Sequence, residues 1–310
     1  MEESHIRRVG AAAVGCALVL RLVGGGVPGR LAEELVQPDA AAFLVYLETG
    51  RNVRFSPSEP GFTPEFAESP PAEAAVEVLA DFSEAAEIPL YNPSGETPDW
   101  EALLEAPLDL PLHAAQPTVL ILHTHATESY EGVPGWRTED ENRNMLAIGA
   151  RVAELLEGQG IPTVQLRTLH DHPSYNGSYV RARESIREAL DRWPDIRLVL
   201  DLHRDASDGA NGQMRTQAQV GGRDSAQLML VMGSNHENYQ QNLSLALKLH
   251  AQLEHQAPGI MRPLQLRPSR FNQDLSPGAL LIEVGAAGNT QQEALTAAEQ
   301  LAQAIAALAG

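Results

Sequence analysis

The sequence predicts an α/β fold with an open, mostly parallel sheet and helices on both faces. From residue 117 to the C-terminus, short apolar runs typical of buried strands alternate with segments of helical periodicity. Such alternation builds βαβ units, whose strands are parallel and whose helices cover both faces of the sheet. In addition, residues able to do chemistry follow directly after several of the strands, where ligand sites of open sheets lie.

Each element has its own signal. The predicted strands are short apolar runs, at residues 118–122, 162–166, 196–202, 227–232 and 279–284. The predicted helices have apolar residues three and four positions apart, at residues 144–157, 178–192, 239–256 and 290–308. In the first of these helices, Met145, Ile148 and Val152 form the apolar face, and Gly158 and Gly160 mark the end.

Composition excludes several classes of protein. The chain has 310 residues, of which 43% are hydrophobic, so it suffices for one or two domains with a core. Its formal charge of −19 excludes a nucleic-acid binder that tracks phosphates with clustered Lys and Arg. The single cysteine, Cys16, excludes an intramolecular disulfide framework and a Cys-rich metal site. A metal site in this chain would therefore use His, Asp and Glu.

The N-terminus predicts a membrane anchor over residues 1–23. Arg7 and Arg8 precede an apolar run from Val9 to Val23, the layout of a secretory signal or signal anchor. At about 15 residues the run is shorter than the ~20 that span a bilayer comfortably. Whether this segment is cleaved or retained stays open. In either case we expect the bulk of the chain to lie outside the cytoplasmic membrane, and a retained segment would be a single N-terminal anchor in the cell membrane.

Residues 24–116 predict an acidic, Pro-rich spacer that is partly ordered. This stretch holds 17 acidic and 3 basic residues and 12 of the 21 prolines. Such a composition favours extended and marginally stable structure. The character of the chain changes near Pro117, and we expect a catalytic domain at residues 117–310.

Imidazoles and carboxylates at separate strand ends predict a metal site. His123 and His125 follow the first strand, His203 follows the central strand, and Glu283 interrupts the apolar last strand. A buried charge at residue 283 costs several kcal/mol unless it is paired or bound to a metal. Because imidazole ligands favour zinc over magnesium or calcium, we expect Zn²⁺ with an open position for water. We expect only one of the first two histidines to contribute, and His125, three residues before Glu128, is favoured.

The chain resembles the stage II sporulation protein P family of sporulation cell-wall hydrolases over nearly all of residues 117–310. The blocks that carry the resemblance are His123–Tyr130, His170–Asp171, Tyr175–Tyr179, Asp201–Asp205, Asn272–Gly285 and Gly288–Thr290. The resemblance implies a zinc-dependent N-acetylmuramoyl-L-alanine amidase with a fold like that of the wider zinc amidase group. It also implies a place in engulfment of the forespore, together with stage II sporulation proteins D and M. The family is also described as an endopeptidase on cross-links, so the balance of the two activities stays open.

The same resemblance implies roles for individual residues. The metal ligands become His125, Glu128 and His203, with Glu283 as the catalytic acid and base. Because the wider group places its ligand Glu further along the chain, Glu141 is the alternative to Glu128.

From their positions in the motifs, we also expect three residues to bind substrate. Arg204 would hold a carboxylate of the stem peptide, although pairing with Asp201 or Asp205 is an equal alternative. Asn272 and Gln273 would bind amides of the peptide. Rival functions are a catalytically silent wall-binding or scaffold module and a zinc peptidase on ordinary proteins. A serine hydrolase built on Ser129 or Ser178 lacks the Gly-x-Ser-x-Gly elbow.

Overall fold

The structure, a computed structural model, describes residues 79, 81–82, 87–206, 208–209 and 212–309. The predicted anchor and the spacer up to residue 78 lie outside the described residues. Within the described part of the chain, no helix is both long and apolar enough to cross a membrane.

The described elements follow the predicted alternation. The strands of the main sheet are β1 (Leu90–Tyr91), β2 (Val119–Leu122), β3 (Thr163–Gln165), β4 (Leu198–Asp205), β9 (Leu228–Gly233), β10 (Leu264–Arg267) and β11 (Ala279–Ala286). Two hairpins lie between β4 and β9: β5 (Asp208–Gly209) with β6 (Gly212–Gln213), and β7 (Ala218–Val220) with β8 (Arg223–Ser225). The α-helices are α1 (Trp100–Glu105), α2 (Met145–Gly158), α3 (Ser178–Arg192), α4 (Tyr239–Gln256) and α5 (Gln291–Leu308). Short 3₁₀ turns occupy Pro134–Trp136 and Gln273–Leu275.

The main sheet has seven strands in the order β1-β10-β9-β11-β4-β2-β3. Every neighbouring pair is parallel except β9 and β11, which are antiparallel. The sheet is thus mostly parallel, as predicted. Because β2, β4 and β11 run in the same direction, their carboxyl ends meet at one edge of the sheet. His125, Glu128, His203 and Glu283 lie at that edge.

Helices cover both faces of the sheet, which confirms the predicted fold class. The largest apolar cluster joins α2, α4 and α5 to one face, through β4 residues such as Leu200 and Leu202. A smaller cluster joins α3 to the other face, where Val199 points. The alternation along β4 is the period-2 pattern of a strand that is buried on both sides.

The folded unit begins well before the predicted boundary at residue 117. β1 adds an edge strand to the sheet by pairing with β10. The carbonyl oxygen of Leu103 on α1 accepts hydrogen bonds from Ser244 and Lys248 of α4. Leu112 is completely buried in the main core. The described residues on both sides of the predicted boundary near Pro117 therefore belong to one folded unit.

The motif at Gly288–Thr290 joins β11 to α5. The side chain of Asn289 accepts hydrogen bonds from the amides of Ala286 and Thr216, and donates to the carbonyl of Thr216. Thr290 caps α5, since its hydroxyl accepts from the Glu293 amide while the Glu293 carboxylate accepts from the Thr290 amide. This motif therefore fixes the exit from the strand that carries Glu283.

Candidate active site

The strand register places the site at the carboxyl edge of β2, β4 and β11. Leu122, the last residue of β2, lies opposite Asp201 of β4. Two residues further along β4, His203 lies opposite Glu283 of β11. Side chains two positions apart on a strand share a face. Asp201, His203 and Glu283 are therefore brought together by backbone pairing alone.

The two histidines after β2 have different environments. His123 is completely buried; its Nδ1 lies 3.0 Å from the Leu202 carbonyl and its Nε2 lies 3.0 Å from Gln165 Nε2. His125 Nδ1 is also buried, but it finds no hydrogen-bond partner within the described chain. In an extended strand, residues two positions apart would share a face. Here a turn begins at Thr124, so the side chains of His123 and His125 point to different surroundings. Of these two histidines, only His125 has its ring packed against His203, beside Glu128.

Aromatic rings surround His125. The Tyr175 ring stacks on its imidazole with a centroid distance of 4.3 Å and an angle of 11°. Tyr179 meets the imidazole edge-on at 5.5 Å, and His203 meets it edge-on at 5.2 Å. Burial lowers the pKa of His125 to about 4, and the neighbouring His203 acts in the same direction. The neutral imidazole that results is the form that binds metals.

Glu128 lies beside His203, and the alternative Glu141 does not. Glu128 Oε2 is 3.5 Å from His203 Nδ1 and accepts a hydrogen bond from the Arg204 amide. Burial alone would raise the pKa of Glu128, but His203 and then Arg204 hold it below its usual value. Glu141 instead pairs with Arg167, with 46% of its side chain exposed.

Negative charge is concentrated around His203. Its Nε2 lies 3.0 Å from Asp201 Oδ1. The Asp201 carboxylate also accepts hydrogen bonds from the amide and the hydroxyl of Thr124, at 2.8 and 2.6 Å. Burial alone would lower the pKa of His203, but Asp201 and Glu128 hold it well above its usual value. The surroundings of this imidazole thus favour a cation.

One oxygen of the Glu283 carboxyl group lacks a hydrogen-bond partner within the described part of the chain. Its Oε2 atom is buried and has no hydrogen-bond partner among the described residues. Burial raises the pKa of Glu283 to about 8, although His203 acts in the opposite direction. A carboxyl group in this state exchanges a proton near neutral pH, which is what an acid–base catalyst does.

The residues fit a zinc ion in chemical type. Two imidazoles and a carboxylate are the ligands of many catalytic zinc sites. The unpartnered atoms of His125 and Glu283 leave donor capacity at the site. As their side chains are placed, however, no three His, Cys, Asp or Glu residues in the described ranges form a closed ligand group. The site therefore contains the types of side chain that bind zinc, but these side chains are not arranged as a complete set of ligands around one point.

Arg204, which the sequence predicts to bind substrate, is engaged by the protein's own backbone. Its side chain is buried, with Nε donating to the Ser129 carbonyl and Nη2 donating to the Trp136 carbonyl. Nη1 lies 3.7 Å from Glu128, rather than pairing with an aspartate of β4. The guanidinium thus holds the loop after Glu128.

Asn272 and Gln273 also have their amides occupied within the protein. Gln273 accepts a hydrogen bond from the Gly233 amide and donates to the Val231 carbonyl, both on β9. Asn272 donates to the Tyr179 carbonyl. Its side-chain oxygen accepts from Arg183. Both side chains fasten the segment before β11 to its neighbours.

Sequence reasoning gave no role to several residues that shape the site. Asp201 holds Thr124 and His203, and Asp171 accepts hydrogen bonds from the amide and hydroxyl of Thr127. Tyr175 and Tyr179 enclose His125. All four lie in the motif blocks, and Asp201 interrupts an apolar strand as Glu283 does. A charged residue within an apolar strand could have indicated that Asp201 belongs to the site. No such local pattern marks Tyr175 or Tyr179.

Comparison with known proteins points to one family. The family model described as stage II sporulation protein P (SpoIIP) matches residues 63–306. The chain is 28% identical to stage II sporulation protein P of Bacillus subtilis (strain 168) over 200 residues, which are 59% of this chain and 49% of that protein. The chain therefore spans about half the length of this curated relative.

Solved structures of amidases are more distant. One is N-acetylmuramoyl-L-alanine amidase AmiC2 of Nostoc punctiforme, with 17% identity, 62% of this chain and 94% of that chain covered, and a TM-score of 0.38. Another is the catalytic domain of CwlV, an N-acetylmuramoyl-L-alanine amidase from Bacillus (Paenibacillus) polymyxa var. colistinus, with 16% identity, coverage of 62% and 96%, and a TM-score of 0.39. At these values the likeness carries no argument about the site.

Proposed function

The chain belongs to the stage II sporulation protein P family, and on that premise we propose that it is a zinc-dependent peptidoglycan hydrolase of sporulation. Its substrate bond is the amide between N-acetylmuramic acid and L-alanine. One observation carries the proposal. Glu283, a half-buried side chain whose buried Oε2 has no hydrogen-bond partner among the described residues, lies opposite His203 at the strand edge where His125 and Glu128 also lie.

His125, Glu128 and His203 would hold the zinc ion. Their donor types support this assignment, as does the neutral state of His125 and the negative charge beside His203. When bound, zinc supplies Lewis-acid polarisation of the substrate carbonyl and lowers the pKa of water toward ~7.

The protein's own contribution to the chemistry is proton transfer at Glu283. Oε2 takes a proton from the water that attacks the lactyl carbonyl, and a bond forms between the water oxygen and the carbonyl carbon. The bond from that carbon to the alanine nitrogen then breaks, and Glu283 returns the proton to the departing nitrogen. The products are a free lactyl carboxylate and a free amino terminus on the stem peptide.

The biological setting is part of the same proposal. The apolar run from Val9 to Val23 after Arg7 and Arg8 supports a membrane anchor with the catalytic domain facing the wall. Membership in the family supports peptidoglycan as the substrate and a role in spore engulfment. Stage II sporulation proteins D and M are the proposed protein partners. Cleavage of peptide cross-links is a proposed second activity.

The test is mass spectrometry of purified peptidoglycan after incubation with the full chain. We expect stem peptides with a free alanine amino group, no product after treatment with a chelator, and product again after zinc is added. A cut confined to the cross-links would assign endopeptidase activity and overturn the amidase assignment. Binding to the wall with no product, with zinc present, would identify a silent binding module. Cleavage of casein without cleavage of muropeptides would identify an ordinary zinc peptidase.

A further inference from the structure

A guanidinium, a phenol ring and an imidazole form three layers at the rim of the site. The Arg137 guanidinium carbon lies 4.6 Å from the centroid of the Tyr175 ring. The Tyr175 ring is in turn nearly parallel to His125, with a centroid distance of 4.3 Å. Arg137 thus reaches one proposed zinc ligand through a single aromatic ring.

The same guanidinium also contacts a second proposed ligand. Arg137 Nη2 lies 3.5 Å from Glu128 Oε1, and the backbones of the two residues form a β-bridge. Arg137 Nη1 donates to Asp171 at 2.8 Å. Asp171 accepts from the amide and hydroxyl of Thr127, so the arginine is anchored to the loop that carries both ligands.

Neither side chain has the burial expected of a core residue. Arg137 is 36% exposed at its side chain and Tyr175 is 53% exposed, whereas Glu128 and His125 are almost completely buried. An exposed tyrosine gains little free energy from burial, so folding alone does not account for its stacking on a buried imidazole. The contacts of the pair are made with His125, Glu128, Thr127 and Asp171, which in turn holds the loop between the two proposed ligands.

We propose that Arg137 and Tyr175 are positioning residues that hold His125 and Glu128 in the orientation needed to bind zinc. The inference rests on the proposed function, since it takes those two residues as ligands. Tyr175 restricts rotation of the His125 ring by covering one of its faces. Arg137 fixes the Glu128 carboxylate and keeps Tyr175 in place through a cation–π contact. Residues that orient metal ligands in this way typically contribute about 10–100-fold to metal affinity.

The test measures zinc affinity of the full chain by competition with a chromophoric chelator. We expect Arg137→Met to weaken zinc binding by about 10–100-fold and Tyr175→Leu to weaken it by about 10-fold. Tyr175→Phe keeps the ring and should retain wild-type affinity. Because both residues act through one stack, the double variant should lose less than the product of the two single losses.

Arg151 provides a matched control. Its side chain is also about one-third exposed and also joins two carboxylates, Glu154 and Glu299, each at 3.0 Å. Arg151→Met should leave zinc affinity unchanged. Near-UV circular dichroism without metal checks that each variant is folded, and Arg137→Lys replaces Arg137→Met if the latter is not. The lysine variant keeps the positive charge but lacks the planar group that stacks on Tyr175. We therefore expect its zinc affinity to be lower than that of the wild type, by less than about 100-fold.

The outcomes separate this proposal from the proposed function. If the wild-type chain binds no zinc, the zinc assignment fails and the positioning role fails with it. If the wild-type chain binds zinc and the folded Arg137 and Tyr175 variants bind it equally well, only the positioning role is overturned. If Tyr175→Phe loses as much affinity as Tyr175→Leu, the ring stack is not the cause.

Discussion

Glu283 of β11 and His203 of β4 are register partners in neighbouring parallel strands. Their side chains therefore leave the sheet on the same face, one strand spacing apart. No loop conformation is needed to bring this carboxyl group to this imidazole. A proton-transfer group is thus held beside a proposed metal ligand by the most rigid part of the fold.

Replacing Glu283 should separate catalysis from metal binding. Glu283→Gln keeps the size of the side chain but cannot accept the proton from water. We expect release of stem peptides from purified wall to fall by about 10²–10⁴-fold. Bound zinc, measured by atomic absorption, should stay the same because residue 283 is not a proposed ligand. The exposed Glu184→Gln is the control, and full activity of Glu283→Gln would remove Glu283 from the mechanism.

Asp201 should be the aspartate on which folding depends most. Its carboxylate accepts two hydrogen bonds from Thr124 and lies 3.0 Å from His203. Asp201→Ala leaves the buried Thr124 amide and the buried imidazole without this carboxylate. We expect a loss of about 3–5 kcal/mol in the free energy of unfolding, measured in urea. The exposed Asp195→Ala should change it by less than about 0.5 kcal/mol; equal effects would contradict the prediction.

The sequence predicted the elements with strong periodicity and missed those that depend on tertiary pairing. Helix α3 lies at Ser178–Arg192, the predicted residues, because its apolar spacing is regular. β10 alternates Leu264 and Leu266 with polar residues in only four positions, too few to distinguish it from a loop. β1 has two residues and exists only through its pairing with β10. The antiparallel β9–β11 pair leaves no signal in local periodicity.

The same distinction applies to the site. Residues at strand ends were predictable because parallel strands bring their carboxyl ends together. The hydrogen bonds of Arg204, Asn272 and Gln273 were not, because local sequence does not show whether a polar side chain faces solvent or a backbone carbonyl. Each of the three satisfies backbone groups of loops and strands distant in the sequence. The role of Tyr175 depends on the distance to His125, 50 positions earlier.

Arg204 should act on stability and not on substrate binding. Its guanidinium satisfies two carbonyl groups on the loop after Glu128 and lies close to Glu128 itself. Arg204→Leu removes both hydrogen bonds and the positive charge beside the buried Glu128, although the Trp136 carbonyl still accepts from the Ser129 amide. We expect a loss of about 3–5 kcal/mol in the free energy of unfolding.

Urea denaturation of the Arg204 variant, beside the exposed Arg187→Ala, provides the measurement. A second variant, Arg204→Lys, is expected to fold. Its KM for peptidoglycan fragments should stay at the wild-type value. A higher KM with unchanged stability would restore the substrate-binding role.

Two glycines of α2 should respond to alanine in opposite ways. A Cβ at Gly149 would lie 2.5 Å from His123 Nε2 and would also collide with Gln165. Gly149→Ala should therefore displace a buried hydrogen-bonded pair, at a cost of about 1–3 kcal/mol. A Cβ at Gly158 meets no atom of the described chain within 4 Å. Since alanine is the better helix former, Gly158→Ala should raise stability by up to about 1 kcal/mol. Thermal unfolding of both variants tests the contrast, and a destabilised Gly158→Ala would contradict it.

Lys248, the one lysine of the chain, should make stability depend on pH in the alkaline range. Burial lowers its pKa from the usual 10.5 to about 8, while its Nζ donates to Leu103 and Ser244. Between these two values the unfolded chain keeps a proton that the folded chain loses. The free energy of unfolding should therefore rise with pH from about 8 to 10.5, by at most about 3 kcal/mol. Below pH 8 both states are protonated, so the contribution of Lys248 is constant there.

Lys248→Met isolates this effect from the titration of other groups. The variant keeps the length of the side chain and removes its titration. Urea denaturation at pH 8 and at pH 10.5 gives the free energy of unfolding of both proteins. We expect wild type minus variant to increase between the two pH values, because only the wild type releases a proton from residue 248 in the folded state. A constant difference would mean that the ammonium group keeps its proton inside the fold, and that its two hydrogen bonds outweigh the cost of burial.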